Sequence, residues 1–252
     1  MMLTKSVENK LNTLKLNAIA SQCEHLLSLS SLEQSEFEHV FEALLDIQIE
    51  QNQTACQNRM RKAANLRWPQ ATLADINFTQ ISASTRRNIE KLSTCDWLNE
   101  QQNVVFIGAT GTGKTTFACA LANHVILQGY KVKFVKYHDL LVELEIAESA
   151  DKLKNYIRKL LRVPLIIIDD WALTPITSIQ RRLLFDLIER LELQGSLIIT
   201  SQFDFDMWHE AIGEETIADA LLDRIAKRAN KINLEGGSYR QVSGLIGSDN
   251  NA

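Results

Sequence analysis

No stretch of this 252-residue chain approaches the roughly eighteen consecutive apolar residues of a membrane-crossing helix, so a spanning helix is excluded at the outset. The opening Met1-Met2-Leu3-Thr4-Lys5-Ser6-Val7-Glu8 lacks the charged-then-apolar build of a secretory signal, and a cytoplasmic location is expected. The four cysteines, Cys23, Cys56, Cys95 and Cys119, are scattered, with no Cys-x-x-Cys pair and no histidine at ligand spacing. That pattern supplies neither a zinc site nor a disulfide framework and leaves reduced core thiols. Nor is there a large excess of either charge: 27 Lys and Arg against 31 Asp and Glu leave a net charge of −4, which argues against a protein that coats nucleic acid over its whole surface. Local clusters remain, Arg59-Met60-Arg61-Lys62 with Arg67 and the pair Arg86-Arg87, although a solvated helix face is the simpler reading of each. There is no internal repeat and no low-complexity segment. A content of 45% hydrophobic and 23% charged residues fits one main globular core with a small satellite domain.

From about Glu8 to Asn65 there is neither proline nor glycine, and leucines recur at three- and four-residue intervals. Two helices are predicted, with a break near Leu27 to Gln34 and a capping box in Ser35-Glu36-Phe37-Glu38 starting the second. Two helices enclose little core, so this segment is expected to pack on the rest of the chain, on a copy of itself or on another protein. Trp68-Pro69 ends the helical region, since proline disfavours helical geometry before it and has no N–H. The expected organisation is an N-terminal helical domain over residues 1–68, a linker with short helices over 69–102, an α/β domain over 103–240 and a tail over 241–252. Within the α/β domain, strands are predicted from Asn103, at Lys131–Val135, Leu165–Asp169, Leu197–Thr200 and Lys231–Leu234. Helices are predicted between them, at about 116–127, 139–161, 179–193 and 216–229. This alternation predicts a parallel sheet flanked by helices.

The chemistry concentrates in Gly108-Ala109-Thr110-Gly111-Thr112-Gly113-Lys114-Thr115, preceded by the apolar Val104-Val105-Phe106-Ile107 and followed by a helical run from Thr116. This is a phosphate-binding loop in its strand–loop–helix setting. Its glycines allow a tight turn that aims backbone N–H groups at a polyphosphate, at the positive end of the next helix. Lys114 would reach the β- and γ-phosphates, and the Thr115 hydroxyl would ligate the magnesium ion carried by a nucleoside triphosphate. Leu165-Ile166-Ile167-Ile168 is short, β-branched and apolar, and so reads as a buried parallel strand delivering Asp169 and Asp170 to its carboxyl end. There Asp169 is placed to hold magnesium and Asp170 to polarise an attacking water. Leu197-Ile198-Ile199-Thr200 runs into Ser201-Gln202, with Gln202 placed to orient that water. No Asn-Lys-x-Asp motif follows, which argues against GTP.

Over about residues 5–245 the sequence resembles the IstB-like transposition helper ATPases. The likeness is carried by Trp208-His209-Glu210-Ala211-Ile212-Gly213, by Thr216-Ile217-Ala218-Asp219-Ala220-Leu221-Leu222-Asp223-Arg224-Ile225, and by the order of N-terminal helices and Trp68-Pro69. The family is similar to the DnaC helicase loaders within the AAA+ P-loop ATPases, whose nucleotide sites lie between subunits of a ring or spiral. The resemblance implies that Arg224 is an arginine finger for a neighbouring subunit and that Arg240 is a second sensor touching the γ-phosphate of its own. A surface ion-pairing arginine is the competing reading of both. It further implies a Mg2+-dependent ATPase that assembles on duplex target DNA and presents it to a cognate transposase. Asp170 stands where many AAA+ proteins carry glutamate, and slow basal hydrolysis is expected. A DnaC-like helicase loader is the alternative. A small-molecule kinase and a scaffold with ATP as a structural ligand are the readings from other classes. DNA contacts would come from among Arg59, Arg61, Lys62, Arg181, Arg182, Lys227 and Arg228, which the sequence does not place on one surface.

Overall fold

The computed structural model describes residues 15–19, 22, 34–76 and 81–235. The chain divides into two compact units, Met1–Arg59 and Met60–Ala252. In the first, helix α1 (Gln34–Ala64) provides the described framework. Its Gln48 is buried and accepts a hydrogen bond from the Ala18 amide at 3.0 Å. Of the helix break expected near Leu27 to Gln34, residues 27–33 lie outside the described residues, as do the side chains of the Ser35–Glu38 capping box, and Gln34 already belongs to α1.

The last turn of α1 belongs to the second unit and ends at Asn65, whose φ of +52° is a left-handed conformation that asparagine tolerates as a helix stop. A strap over residues 65–76 follows. Trp68 C=O accepts from the Ala71 amide at 3.2 Å across Pro69-Gln70. Thr72 and Asp75 then cap each other reciprocally around a single 3-10 turn, Leu73–Asp75.

Among the described residues, five strands form one parallel sheet: β1 (Asn103–Ile107), β2 (Val132–Lys136), β3 (Leu165–Asp169), β4 (Ser196–Ser201) and β5 (Ala229–Asn233), in the order β2-β3-β4-β1-β5. The short helices α2 (Ala83–Leu92) and α3 (Asp96–Asn99), with α4 (Lys114–Leu127), cover one face. The other is covered by α5 (Tyr137–Ser149), α6 (Leu153–Leu160), α7 (Ser178–Leu191), α8 (Phe205–Ile212) and α9 (Glu215–Ala226). Alternate residues of β3 serve the two faces: Ile166 and Ile168 pack with Leu144, Leu184 and Trp208, while Leu165 and Ile167 pack with Phe117, Leu121 and Ile126. A strand buried on both faces has no polar side to show, which is why β3 reads as an unbroken apolar run.

Several boundaries differ from the sequence reading for local reasons. The helices expected over 139–161 are two, divided at Asp151, which has φ +53°. Helix α8 was not anticipated; Asp204 starts it by accepting from the Phe205 amide, and Gly213 at φ +82° stops it. The last helix ends at Ala226 instead of about 229, because Ala229 already pairs with Asn103 in the sheet. No helix among the described residues is long and apolar enough to cross a membrane. Cys95 and Cys119 are free buried thiols, and burial pushes Cys119 up to about 11.

Candidate nucleotide site

The sheet order decides the site. Because β4 lies between β1 and β3, its carboxyl end falls between the loop that follows β1 and the acidic tip of β3. Lys114, Thr115, Asp169, Asp170 and Gln202 therefore converge at one end of the sheet.

The loop is shaped by glycine where nothing else fits. A Cβ on Gly108 would stand 2.4 Å from the Leu234 carbonyl oxygen and 2.9 Å from Thr112 Oγ1. Gly111 and Gly113 have φ of +91° and +88°, and Gly113 is the N-cap residue of α4. The Gly108 amide bonds to Ser201 C=O at 3.2 Å, tying the loop to β4, and Thr112 Oγ1 donates to Ala109 C=O at 2.9 Å. Ala109 and Thr110 are exposed at the loop crest, and Thr116 is half-buried in the first turn of α4. Thr110 Oγ1 donates to Gln202 Oε1 at 2.8 Å, so the expected water-orienting amide lies against the loop.

Lys114 is 7% exposed and its ammonium donates to Gly108 C=O at 2.7 Å and Ala109 C=O at 2.8 Å. An ammonium has three donors, so one remains for a phosphate oxygen. Burial lowers the Lys114 pKa, and the charges of Asp170 and Asp169 oppose that shift.

Asp169 is fully buried. Its Oδ1 accepts from Thr200 Oγ1 at 2.6 Å and from Thr115 Oγ1 at 2.8 Å, while Oδ2 has no hydrogen-bond partner. Burial raises its pKa; the two hydroxyls and Arg67 pull it down, and Asp170 pushes it up. A buried carboxylate oxygen without a donor, beside a threonine hydroxyl, is the oxygen set that a magnesium ion takes from a protein when substrate phosphates complete its shell. Among the described residues no group of three or more His, Cys, Asp or Glu is placed to hold a metal, and phosphate-borne magnesium does not require one.

Asp170 turns the chain sharply at φ +58°, followed by Ala172 at the same angle. The bend is held from β4: the Asp170 amide donates to Thr200 Oγ1 at 3.1 Å, the Trp171 amide to Thr200 C=O at 2.9 Å, and Ser201 Oγ to Trp171 C=O at 3.2 Å. Behind it the fully buried Trp171 ring lies 4.8 Å from Tyr137 and 5.4 Å from Trp208, centroid to centroid. Left-handed residues held this firmly at a strand tip are a common feature of functional sites.

Arg224 is elsewhere. On α9 it pairs with Glu189 at 3.0 Å and Glu192 at 3.5 Å and lies over the Phe185 ring at 4.9 Å. It lines a small cavity with Asn103 and Leu197, at the amino ends of β1 and β4. The phosphate loop is at the opposite ends of these strands, about 16 Å away for five residues of strand. Arg240 lies outside the described residues.

Two neighbours of Asp169 were not assigned as site residues from the sequence. Thr200 carried a signal, a hydroxyl ending a buried apolar strand. Arg67, whose Nη1 is 3.7 Å from Asp169 Oδ2, carried none beyond its charge.

The profile of the family described as IstB-like ATP binding protein matches residues 9–244. The protein y4pL of Sinorhizobium fredii, named as an insertion sequence ATP-binding protein, is 31% identical over 244 residues, 95% of this chain and 98% of the relative. The ATP-binding protein named for insertion sequence IS5376 of Geobacillus stearothermophilus is 28% identical over 227 residues, 90% of each chain. Among solved structures, the DnaC helicase loader superposes with a TM-score of 0.56 at 19% identity, covering 67% of this chain and 99% of that one. That likeness is one of fold, a parallel sheet flanked by helices.

Proposed function

The chain belongs to the IstB-like ATP-binding protein family, and from that premise we propose that it is an ATP-hydrolysing, DNA-binding helper of a transposase in insertion-sequence transposition. The observation that carries the ATPase reading is the convergence of Lys114, Asp169, Asp170 and Gln202 around one loop.

In this reading the loop amides and the free Lys114 donor grip the triphosphate. Thr115 and Asp169 would hold magnesium, which supplies charge neutralisation to the phosphates when bound. Asp170 accepts the proton of the attacking water, and Gln202 orients it. Thr200, through one hydroxyl, fixes the Asp169 carboxylate and the backbone amide of Asp170. Arg224 is too far from its own loop to touch its own nucleotide, so a finger role would be toward a neighbouring copy, in a ring or spiral, and would draw it from Glu189 and Glu192. Arg240 would act as the second sensor. A planar guanidinium suits the finger role because it meets two phosphate oxygens at once.

DNA binding draws support from a surface absent from the sequence-based candidates. Lys152, Lys154, Arg158, Lys159 and Arg162 are exposed on and around α6, and among the described residues none has an ion-pair partner. Four of them line one groove, with Glu143 its acidic member. By contrast Arg181 and Arg182 are engaged by Glu214 and Glu148, and Lys227 by Asp223. Several cations meeting phosphates together are what non-specific DNA affinity requires.

The test is ATP turnover with and without duplex DNA. Arg224→Ala is expected to abolish DNA-stimulated hydrolysis while ATP binding stays near that of the unaltered protein; equal loss of both would disprove the finger role. Recovery of a replicative helicase and no transposase in a pull-down would replace the transposition reading with helicase loading.

A further inference from the structure

The carboxylate assigned to magnesium has a cationic neighbour outside the ATPase motifs. Arg67 Nη1 stands 3.7 Å from Asp169 Oδ2, the oxygen that has no hydrogen-bond donor. Asp169 is fully buried, whereas the Arg67 side chain is 39% exposed. A buried carboxylate without a compensating charge is costly, so the guanidinium has a clear role before any cation arrives.

Arg67 belongs to the strap that leaves α1. This strap is fastened to α4, the helix that the phosphate loop opens into: Asn123 Nδ2 donates to Pro69 C=O at 3.2 Å and to Ala71 C=O at 2.8 Å. The Cys119 thiol meets the backbone of Arg67 and Trp68. Cys119 and Thr115 are four residues apart on α4 and share a face, which sets Arg67 on the side of the helix that carries the Thr115 hydroxyl. A divalent cation at Thr115 and Asp169 would bring two further positive charges to the carboxylate that Arg67 faces, and like charges at such separations repel strongly when shielded from water.

We propose that Arg67 is a positioning residue that stands in for the cation: it holds Asp169 before nucleotide binding and yields the carboxylate when a divalent cation and nucleoside triphosphate enter, so that the strap over residues 65–76 responds to nucleotide state. The proposal rests on the reading of Asp169 and Thr115 as magnesium ligands. It makes the segment joining α1 to the sheet a reporter of the site, through direct chain continuity.

The chain carries its own probe. Trp68 is 43% exposed and its ring centroid is 6.0 Å from the Arg67 guanidinium carbon, whereas Trp97, Trp171 and Trp208 are 4%, 0% and 0% exposed. Acrylamide quenching of the full-length protein therefore reports mainly on Trp68, and a Trp68→Phe variant identifies its share. With a non-hydrolysable ATP analogue, quenching should change when Mg2+ is present and not when EDTA replaces it. In Arg67→Ala the Mg2+ concentration giving half-maximal nucleotide binding should fall about two- to fivefold, the range expected for losing a competing, partly exposed ion pair, with Arg67→Lys between. A purely structural arginine would lower thermal stability without lowering that midpoint. An unchanged or raised midpoint in Arg67→Ala overturns the proposal; should that variant not fold, unchanged Trp68 quenching in the unaltered protein, with bound analogue verified by equilibrium dialysis, overturns it instead. Absence of Mg2+-dependent analogue binding to the unaltered protein would overturn the nucleotide reading as well, a result separable from the others by the same dialysis.

Discussion

Thr200 holds Asp169: its hydroxyl donates to Oδ1 over 2.6 Å, with both residues fully buried. The same oxygen accepts the Asp170 amide, so one side chain of β4 fixes the carboxylate assigned to the metal and the backbone of the carboxylate assigned to the water. Thr200→Val keeps the shape and removes both bonds, leaving a buried carboxylate and an amide short of partners. The expected loss is about 1–3 kcal/mol of stability, read from denaturant midpoints, with Thr200→Ser close to the unaltered protein. A Thr200→Val protein of full stability would show that these bonds do not order the site.

Gly108 is fixed by its neighbours more than by its dihedral angles. The chain leaving β5 crosses it so closely that a Cβ would lie 2.4 Å from the Leu234 carbonyl oxygen, a backbone atom that cannot rotate aside. Gly108→Ala should cost about 1–3 kcal/mol through overpacking and weaken ATP binding by displacing the loop. Calorimetric unfolding and nucleotide titration measure the two effects, and normal values for both would mean that the crossing segment yields freely.

Asp170 occupies a left-handed conformation, φ +58°, that asparagine accepts as readily as aspartate. Asp170→Asn therefore removes the basic carboxylate with little backbone penalty. Turnover should fall about 10²- to 10⁴-fold with ATP affinity retained, as loss of a general base predicts. Retained turnover would exclude the base assignment.

Burial raises the Asp169 pKa above its ordinary value of 3.8. Across the window from that value up to the folded-state value the folded protein binds more protons than the unfolded chain, so stability from this group falls as pH rises and stays lowered at neutral pH. Asp169→Asn should therefore raise the Tm of the nucleotide-free protein at neutral pH, by about 2–4 °C per kcal/mol recovered, with the difference shrinking as pH falls toward that of the free carboxyl. A Tm difference independent of pH would show that ionisation of Asp169 carries no stability cost.

The phosphate loop and the acidic strand tip were legible because each is contiguous. Eight residues from Gly108 to Thr115 contain the turn, the lysine and the hydroxyl, and the apolar run before Asp169 announces a doubly buried strand. Helix α8 escaped the reading because its eight residues offer a short pattern, with its start and stop set by Asp204 and Gly213. The cations of the α6 groove all lie between Lys152 and Arg162; what the sequence did not show is the opposite wall, Glu143, Ile146 and Ala147 of α5, which packing supplies.

By itself, then, the order of residues determined that a polyphosphate cradle follows one strand and two carboxylates end another, since both depend on neighbours within a few peptide bonds. Folding alone decided what stands next to Asp169. Thr200 reaches it because β4 is inserted between β1 and β3, and Arg67 reaches it because the strap is pinned to α4 by Asn123. Sheet order and strap anchoring are settled by burial on both faces of the sheet, a non-local balance that no window of sequence contains.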